Sequence, residues 1–103
     1  MNTFTVELRA AEAQAVVSTE DELRVELVDG RTLAVPLAWY PRLAYASPAE
    51  RDNWRLIGSG EGIHWPALDE DISMQNLLAG KPSGESQASF ARWLESRRAQ
   101  FNS

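Results

Sequence analysis

The chain has 103 residues, 44% of them hydrophobic and 24% charged, which suits one domain with a packed core and argues against global disorder. Ten Lys and Arg against 15 Asp and Glu leave a formal charge of −5, so a phosphate backbone is a poor partner and a basic protein a good one. No cysteine is present, which excludes disulfides, thiolate catalysis and Cys-based zinc, and no apolar run approaches the roughly 20 residues of a membrane span.

The start, Met1 to Glu7, lacks a basic segment followed by an apolar one, so no secretory signal is expected and the cytoplasm is the expected compartment. Residues 1–12 fit two readings. Phe4, Val6 and Leu8 alternate like a strand, while Glu7 to Glu12 are helix formers. Ala13 to Ser18 is predicted as a short strand centred on Val16 and Val17, followed by a polar turn over residues 19–22. Leu23, Val25 and Leu27 alternate with Arg24 and Glu26, the period of a half-buried strand. Asp29-Gly30 then predicts a hairpin with a type I′ turn, and Leu33 and Val35 continue the apolar face.

Pro36 and Pro41 forbid a regular strand or long helix between them, so Pro36 to Leu43 reads as a turn or 3₁₀ segment carrying bulky anchors. Ser47-Pro48-Ala49-Glu50 has the form of a capping box opening a short helix over about Pro48 to Asn53. Trp54 to Ile57 and Ile63 to Trp65 read as short strands around a glycine turn. Asp71 or Ser73 can cap a second short helix through Leu78, which Gly80 ends. Lys81-Pro82-Ser83-Gly84 reads as a linker, and a longer helix runs from about Glu85 to Gln100. Phe90, Trp93, Leu94 and Phe101 form its apolar stripe, with Arg97 and Arg98 placed to favour the dipole near its C-terminus. The expected fold is α+β: a small antiparallel sheet with the Asp29-Gly30 hairpin, two short helices and the terminal helix. Residues 1–80 form the expected domain, and residues 81–103 a linker and helix packed on it or on a partner.

Three runs carry a resemblance. They are Asp29-Gly30-Arg31 with Val35 to Leu43; Ser47 to Trp54; and Gly62-Ile63-His64-Trp65-Pro66 with Leu68 to Ile72 and Leu77 to Gly80. Together they resemble the bacterial Domain of Unknown Function 2442 family over about residues 14–98. The resemblance implies a small α+β domain and no established enzymatic activity. Some members continue into a helix-turn-helix domain, which implies transcriptional regulation; others resemble one half of a two-gene module of the toxin–antitoxin kind. After Gly80 this chain has room for one long helix and no second DNA-reading helix, so direct operator binding is not expected.

His64 with Asp69, Glu70 and Asp71 is the one cluster with ligand chemistry. An imidazole and carboxylates could hold zinc or manganese, or work as a general base. One histidine is few for such a site, and consecutive acids diverge along an extended backbone. In the structural reading Asp71 caps the next helix, Asp69 or Glu70 pairs with an arginine, and His64 is structural. No cofactor and no catalytic residue is therefore expected; His64, Asp69 and Asp71 are kept as weak metal candidates. Gly58 to Gly62 lacks the Gly-Lys-Ser/Thr ending of a phosphate loop, and no serine sits in a nucleophile elbow. Trp39, Trp54 and Trp65 are expected in the core, with Tyr40 and Tyr45 at the surface. The candidate partner-binding residues are Tyr40, Tyr45, Phe90, Trp93, Leu94, Arg97 and Phe101. The leading functional expectation is a non-enzymatic binding or regulatory module, antitoxin-like, whose partner is a basic protein encoded nearby or a second copy. The alternatives are a metal-dependent enzyme built on His64 and the acidic cluster, and a dimeric DNA-linked regulator.

Overall fold

The computed structural model describes residues 11–102, and the side chains of residues 11–100. The two readings of the N-terminal segment fall on residues 1–10, and one candidate side chain, Phe101, is likewise outside the described residues. The fold is α+β, with two three-stranded antiparallel sheets. The first contains β1 (Ala13–Ser18), β2 (Glu22–Leu27) and β3 (Thr32–Pro36), in that order. A 3₁₀ turn (Leu37–Trp39) and two short helices, α1 (Pro41–Tyr45) and α2 (Pro48–Asp52), lead to the second sheet. That sheet contains β4 (Arg55–Ile57), β5 (Gly62–Trp65) and β6 (Glu70–Ser73), with a 3₁₀ turn (Pro66–Leu68) between the last two. Helices α3 (Met74–Leu78) and α4 (Gln87–Asn102) complete the chain.

The predicted hairpin joins β2 to β3, pairing Leu23 with Val35 and Val25 with Leu33. Its turn differs from the expectation. Gly30 has φ 94°, but Asp29 does not have positive φ, so the turn is not type I′. The Gly30 N–H donates to Leu27 O at 3.0 Å and the Leu27 N–H to Arg31 O at 2.8 Å. This is a three-residue loop with its left-handed residue last. The Asp29 carboxylate accepts from the Arg31 backbone N–H at 3.0 Å, which holds Asp29 out of the left-handed region.

The capping box at Ser47 forms as expected: Ser47 Oγ accepts from Glu50 N at 3.2 Å, and Glu50 Oε1 from Ser47 N at 3.0 Å. Helix α3 is capped by Ser73, whose hydroxyl accepts from Asn76 N at 3.1 Å. Asp71 is not the cap, because it lies inside β6. At the other end Gly80 N–H bonds Leu77 O and Lys81 N–H bonds Asn76 O, a Schellman closure with Gly80 at φ 72°. Ser86 starts α4, accepting from Ser89 N at 3.0 Å. The helix extends to Asn102, so Arg97 and Arg98 stand outside its last turn.

The inward faces of both sheets meet in one core. Leu23, Val25 and Leu27 of β2 pack with Ile63, Trp65, Leu68 and Leu77 and with Leu43 of α1. Trp65 is fully buried, and its indole N–H donates to Arg51 O at 3.0 Å. Trp39 and Trp54 only flank this core, half-buried. Tyr40 departs from the expected surface position: it is 3% exposed. The 3₁₀ turn before it rotates the chain so that Tyr40 points inward and its neighbour Trp39 lies at the edge.

Gly60 joins the two sheets. It has φ 112°, and its carbonyl accepts from Ala13 N at 2.8 Å. A Cβ there would sit 2.3 Å from Ala13 O, a backbone atom that cannot swing away. Gly60→Ala is expected to lower unfolding stability by about 2 kcal/mol, combining positive-φ strain with loss of that bond. A urea titration followed by circular dichroism checks this, and an unchanged midpoint would contradict the role.

Candidate functional site

The acidic run folds so that its three carboxylates diverge. Asp69 takes the left-handed conformation (φ 50°) that ends the Pro66–Leu68 turn, and its side chain faces solvent. Glu70 turns inward and Asp71 outward as β6 begins. Asp71 is paired across the sheet with His64, and His64 Nδ1 is hydrogen-bonded to the Asp71 carboxylate. This is a two-member contact on the outer face of the sheet. Among the described residues, no group of three or more His, Asp or Glu side chains gathers at metal-holding distances. Asp69 lies 4.0 Å from Arg42, at the limit of an ion pair.

Two other features stand out. The first is where α4 returns to its own domain. Its half-buried face carries Phe90, Trp93, Leu94 and Arg97. The Trp93 indole N–H donates to Leu68 O at 3.0 Å. Its ring lies between two guanidinium groups, Arg42 at 5.4 Å and Arg97 at 4.7 Å from the ring centroid. Arg42 forks onto Glu85 with Nε at 3.0 Å from both carboxylate oxygens, and also donates to Leu68 O and Asp69 O. Arg97 donates to both oxygens of Glu50 at 2.9 Å. Tyr45 meets Phe90 and Trp93 edge-on, with centroids 6.4 and 6.0 Å apart, while Phe90 and Trp93 stack at 5.7 Å. Tyr45 of α1 and two residues one turn apart on α4 thus form one aromatic patch, and Tyr45 is 55% exposed.

The second feature is a cleft of about 170 Å³ beside β6. Its walls include Tyr40, Glu70 and Asn76, and its roof is the segment 81–84. The roof is fixed at both ends, by the Schellman closure at Lys81 and by the Ser83 N–H donating to Trp39 O at 3.0 Å. The Tyr40 hydroxyl is sealed from solvent and has no hydrogen-bond partner among the described residues. Burial, and then the charge of Glu70, raise its pKa above 10. Burial pushes the Glu70 carboxyl up to about 7; Glu85 and Asp71 add to this, while Arg42 and the Asp71 backbone N–H oppose it.

The Glu70 shift has a defined sign. Its pKa is higher folded than unfolded, so between about 4.5 and 7 the native state binds the extra proton and stability falls as pH rises. Glu70→Gln removes that penalty. We expect the variant to be about 1–3 kcal/mol more stable than wild type near pH 8, discounted for the open mouth of the cleft, and equal to it near pH 4. Paired urea titrations check this, and equal stability at both pH values would refute the buried-carboxylate assignment.

The family model described as "Protein of unknown function (DUF2442)" matches residues 13–83. The chain belongs to the DUF2442 family. The match spans both sheets and stops within the roof of the cleft, before α4. Two solved structures resemble this DUF2442 chain. One is a protein of unknown function from Rhodospirillum rubrum, 29% identical, covering 75% of this chain and 93% of its own, with a TM-score of 0.61. The other is an uncharacterized protein of Chromobacterium violaceum, 22% identical, covering 86% and 82% respectively, with a TM-score of 0.63; it supports the fold alone. No curated protein matches the chain.

Of the sequence candidates, the fold gathers Tyr45, Phe90 and Trp93 with Arg97 and half-buries Leu94, but sends Tyr40 to the cleft. The cleft as a unit escaped sequence reading. Its key carboxylate, Glu70, sits in an acidic run where nothing in composition distinguishes the inward-turned residue from its exposed neighbours.

Proposed function

We propose that this DUF2442 chain is a non-enzymatic protein-binding module of the cytoplasm, acting as the neutralising, antitoxin-like partner in a two-gene module. The observation that carries the reading is the aromatic patch of Tyr45, Phe90 and Trp93, with Tyr45 more than half exposed beside two paired arginines. Tyr, Trp and Arg are the residues that most often dominate interface energetics, and they do so from preorganised positions. Trp93 is held by its indole hydrogen bond and by two guanidinium groups, so little side-chain entropy remains to be lost on binding. The net charge of −5 favours a basic partner through complementary fields. The two-gene-module role that the family resemblance implies agrees with such a pairing.

The test is co-expression with the product of the adjacent gene, followed by affinity measurement. A stable complex is expected, weakened about 30-fold by Tyr45→Ala, which removes an exposed ring without opening the core. Phe90→Asp should weaken it further. Failure to form any complex, or a complex indifferent to both substitutions, would overturn the proposal.

A further inference from the structure

We propose that the partner protein meets the aromatic patch with an arginine, which docks on the Asp69 carboxylate at the patch edge while an apolar neighbour covers Tyr45 and Phe90. Asp69 is then the charge anchor of the binding surface, a role that rests on the protein-binding reading and adds the chemistry of the partner segment to it.

The charges inside the patch are already matched. Arg42 Nε lies 3.0 Å from both Glu85 oxygens, and its Nη2 donates to the same carboxylate. The two hydrogens of its Nη1 go to backbone carbonyls, Leu68 O at 3.2 Å and Asp69 O at 3.0 Å. Arg97 donates to both oxygens of Glu50. The Asp69 carboxylate is what remains. Its side chain is 94% exposed and lies 4.0 Å from Arg42 Nη1, and among the described residues it accepts no hydrogen bond. Two guanidinium groups against the carboxylates of Glu50, Glu85 and Asp69 leave one negative charge. The other charges of α4, Arg92, Glu95 and Arg98, are exposed off its docked face and do not enter this balance.

Position agrees with charge. Asp69 directly follows Leu68, whose carbonyl accepts from the Trp93 indole. Each step from Asp69 through Arg42 and Trp93 to Tyr45 is 6.0 Å or less. A segment of about six extended residues, at ~3.4 Å each, covers both ends. Arginine fits better than lysine, because its planar fork meets a carboxylate with two parallel hydrogen bonds and is weakly hydrated beside aromatic rings. An acidic segment would face Asp69 and find every Arg42 hydrogen already placed. The net charge of −5 steers a basic segment toward the same surface.

The probe is the product of the adjacent gene, with rates of complex formation measured against the full chain at about 50 and about 500 mM sodium chloride. Asp69→Asn should weaken the complex about tenfold at low salt, mainly by slowing association, and by no more than about twofold at high salt. Asparagine suits the left-handed backbone at Asp69 (φ 50°), so the fold is retained. Tyr45→Ala should instead speed dissociation at both salt concentrations. Replacing the product's arginines one at a time by glutamate should find one whose loss is non-additive with Asp69→Asn. A complex weakened by Tyr45→Ala but indifferent to Asp69→Asn at low salt overturns the anchor and leaves the protein-binding reading standing. No complex at all overturns both. A loss at Asp69→Asn that is equal at both salt concentrations makes Asp69 structural and overturns its role as anchor. Sedimentation of the chain alone covers the other occupant: a dimer that Tyr45→Ala dissociates puts a second copy on the patch and overturns the assignment to a foreign arginine.

Discussion

Trp65→Ala is expected to destabilise the domain by about 4 kcal/mol, read as a drop in the urea midpoint by circular dichroism. Trp65 is the largest fully buried side chain and lies where β5 enters the core. Its removal leaves a cavity bounded by both sheets, and elements tied together through Gly60 cannot collapse independently to fill it. It also orphans Arg51 O, which accepts the indole N–H. Because a domain of this size has roughly 5–15 kcal/mol of total stability, the variant should be marginal near body temperature. Trp65→Phe separates the two contributions. It restores most of the volume but not the donor, so a residual loss of about 1–2 kcal/mol is expected. A Trp65→Ala protein as stable as wild type would mean that the sheets do not share one core.

Arg51→Ala is the second large effect, at about 3 kcal/mol. Arg51 is 8% exposed, and among the described residues no carboxylate lies within ion-pair distance of it. Its guanidinium donates at 2.7 Å to Ala46 O, at the C-cap of α1, and more weakly at 3.4 Å to Leu43 O, which also accepts from the Ala46 N–H. Its Nε reaches Ser18 Oγ on β1 at 3.3 Å. One side chain thus completes a helix end and ties it to the first sheet, compensated by carbonyl dipoles rather than by a counter-ion. Alanine takes the guanidinium donor from both carbonyls and leaves Leu43 O only its bond from the Ala46 N–H. Arg51→Lys should recover part of the loss, since an ammonium can reach Ala46 O but cannot span to Ser18. Thermal unfolding of the three proteins checks the order wild type, lysine, alanine; equal values for lysine and alanine would show that packing of the stem is what matters.

The two residues meet at the Arg51 backbone carbonyl, which Arg51→Ala retains; the sequence places Trp65 in the core but gives no sign of the role of Arg51. Alternation over Leu23 to Leu27 located β2 and its inward face because period two has one meaning on a half-buried strand. Ser47-Pro48-Ala49-Glu50 and Gly80 worked because capping and left-handed closure are local chemistry. The hairpin was legible, but its loop type was not, since the Asp29 to Arg31 hydrogen bond decides it. Strand β6 was hidden: Glu70-Asp71-Ile72-Ser73 has one apolar residue, and its pairing with β5 is non-local. Tyr40 and Arg51 were missed for a related reason. A phenol and a guanidinium have surface defaults, and only the arrangement of distant carbonyls and strands inverts them. The divergence of Asp69, Glu70 and Asp71 was foreseeable from backbone geometry, whereas the choice of Glu70 as the inward member depends on the left-handed turn at Asp69.

The docking of α4 has a consequence in acid. The helix is tethered by two carboxylates, Glu85 at its start and Glu50 on α2. Arg42 holds the Glu85 carboxyl below its ordinary 4.5. At Glu50 burial pushes upward, but the Ser47 N–H and the Arg97 guanidinium outweigh it and hold that carboxyl low as well. Such groups stabilise the native state above the unfolded value and lose that contribution as pH falls through the folded one. Glu70 works in the opposite direction, at higher pH, between about 4.5 and 7. The terminal helix is therefore expected to loosen from the domain in acid. Below the carboxylate range both tethers are protonated and the amides of α4 exchange through a local opening, while the strands, closed by apolar contacts, keep their protection.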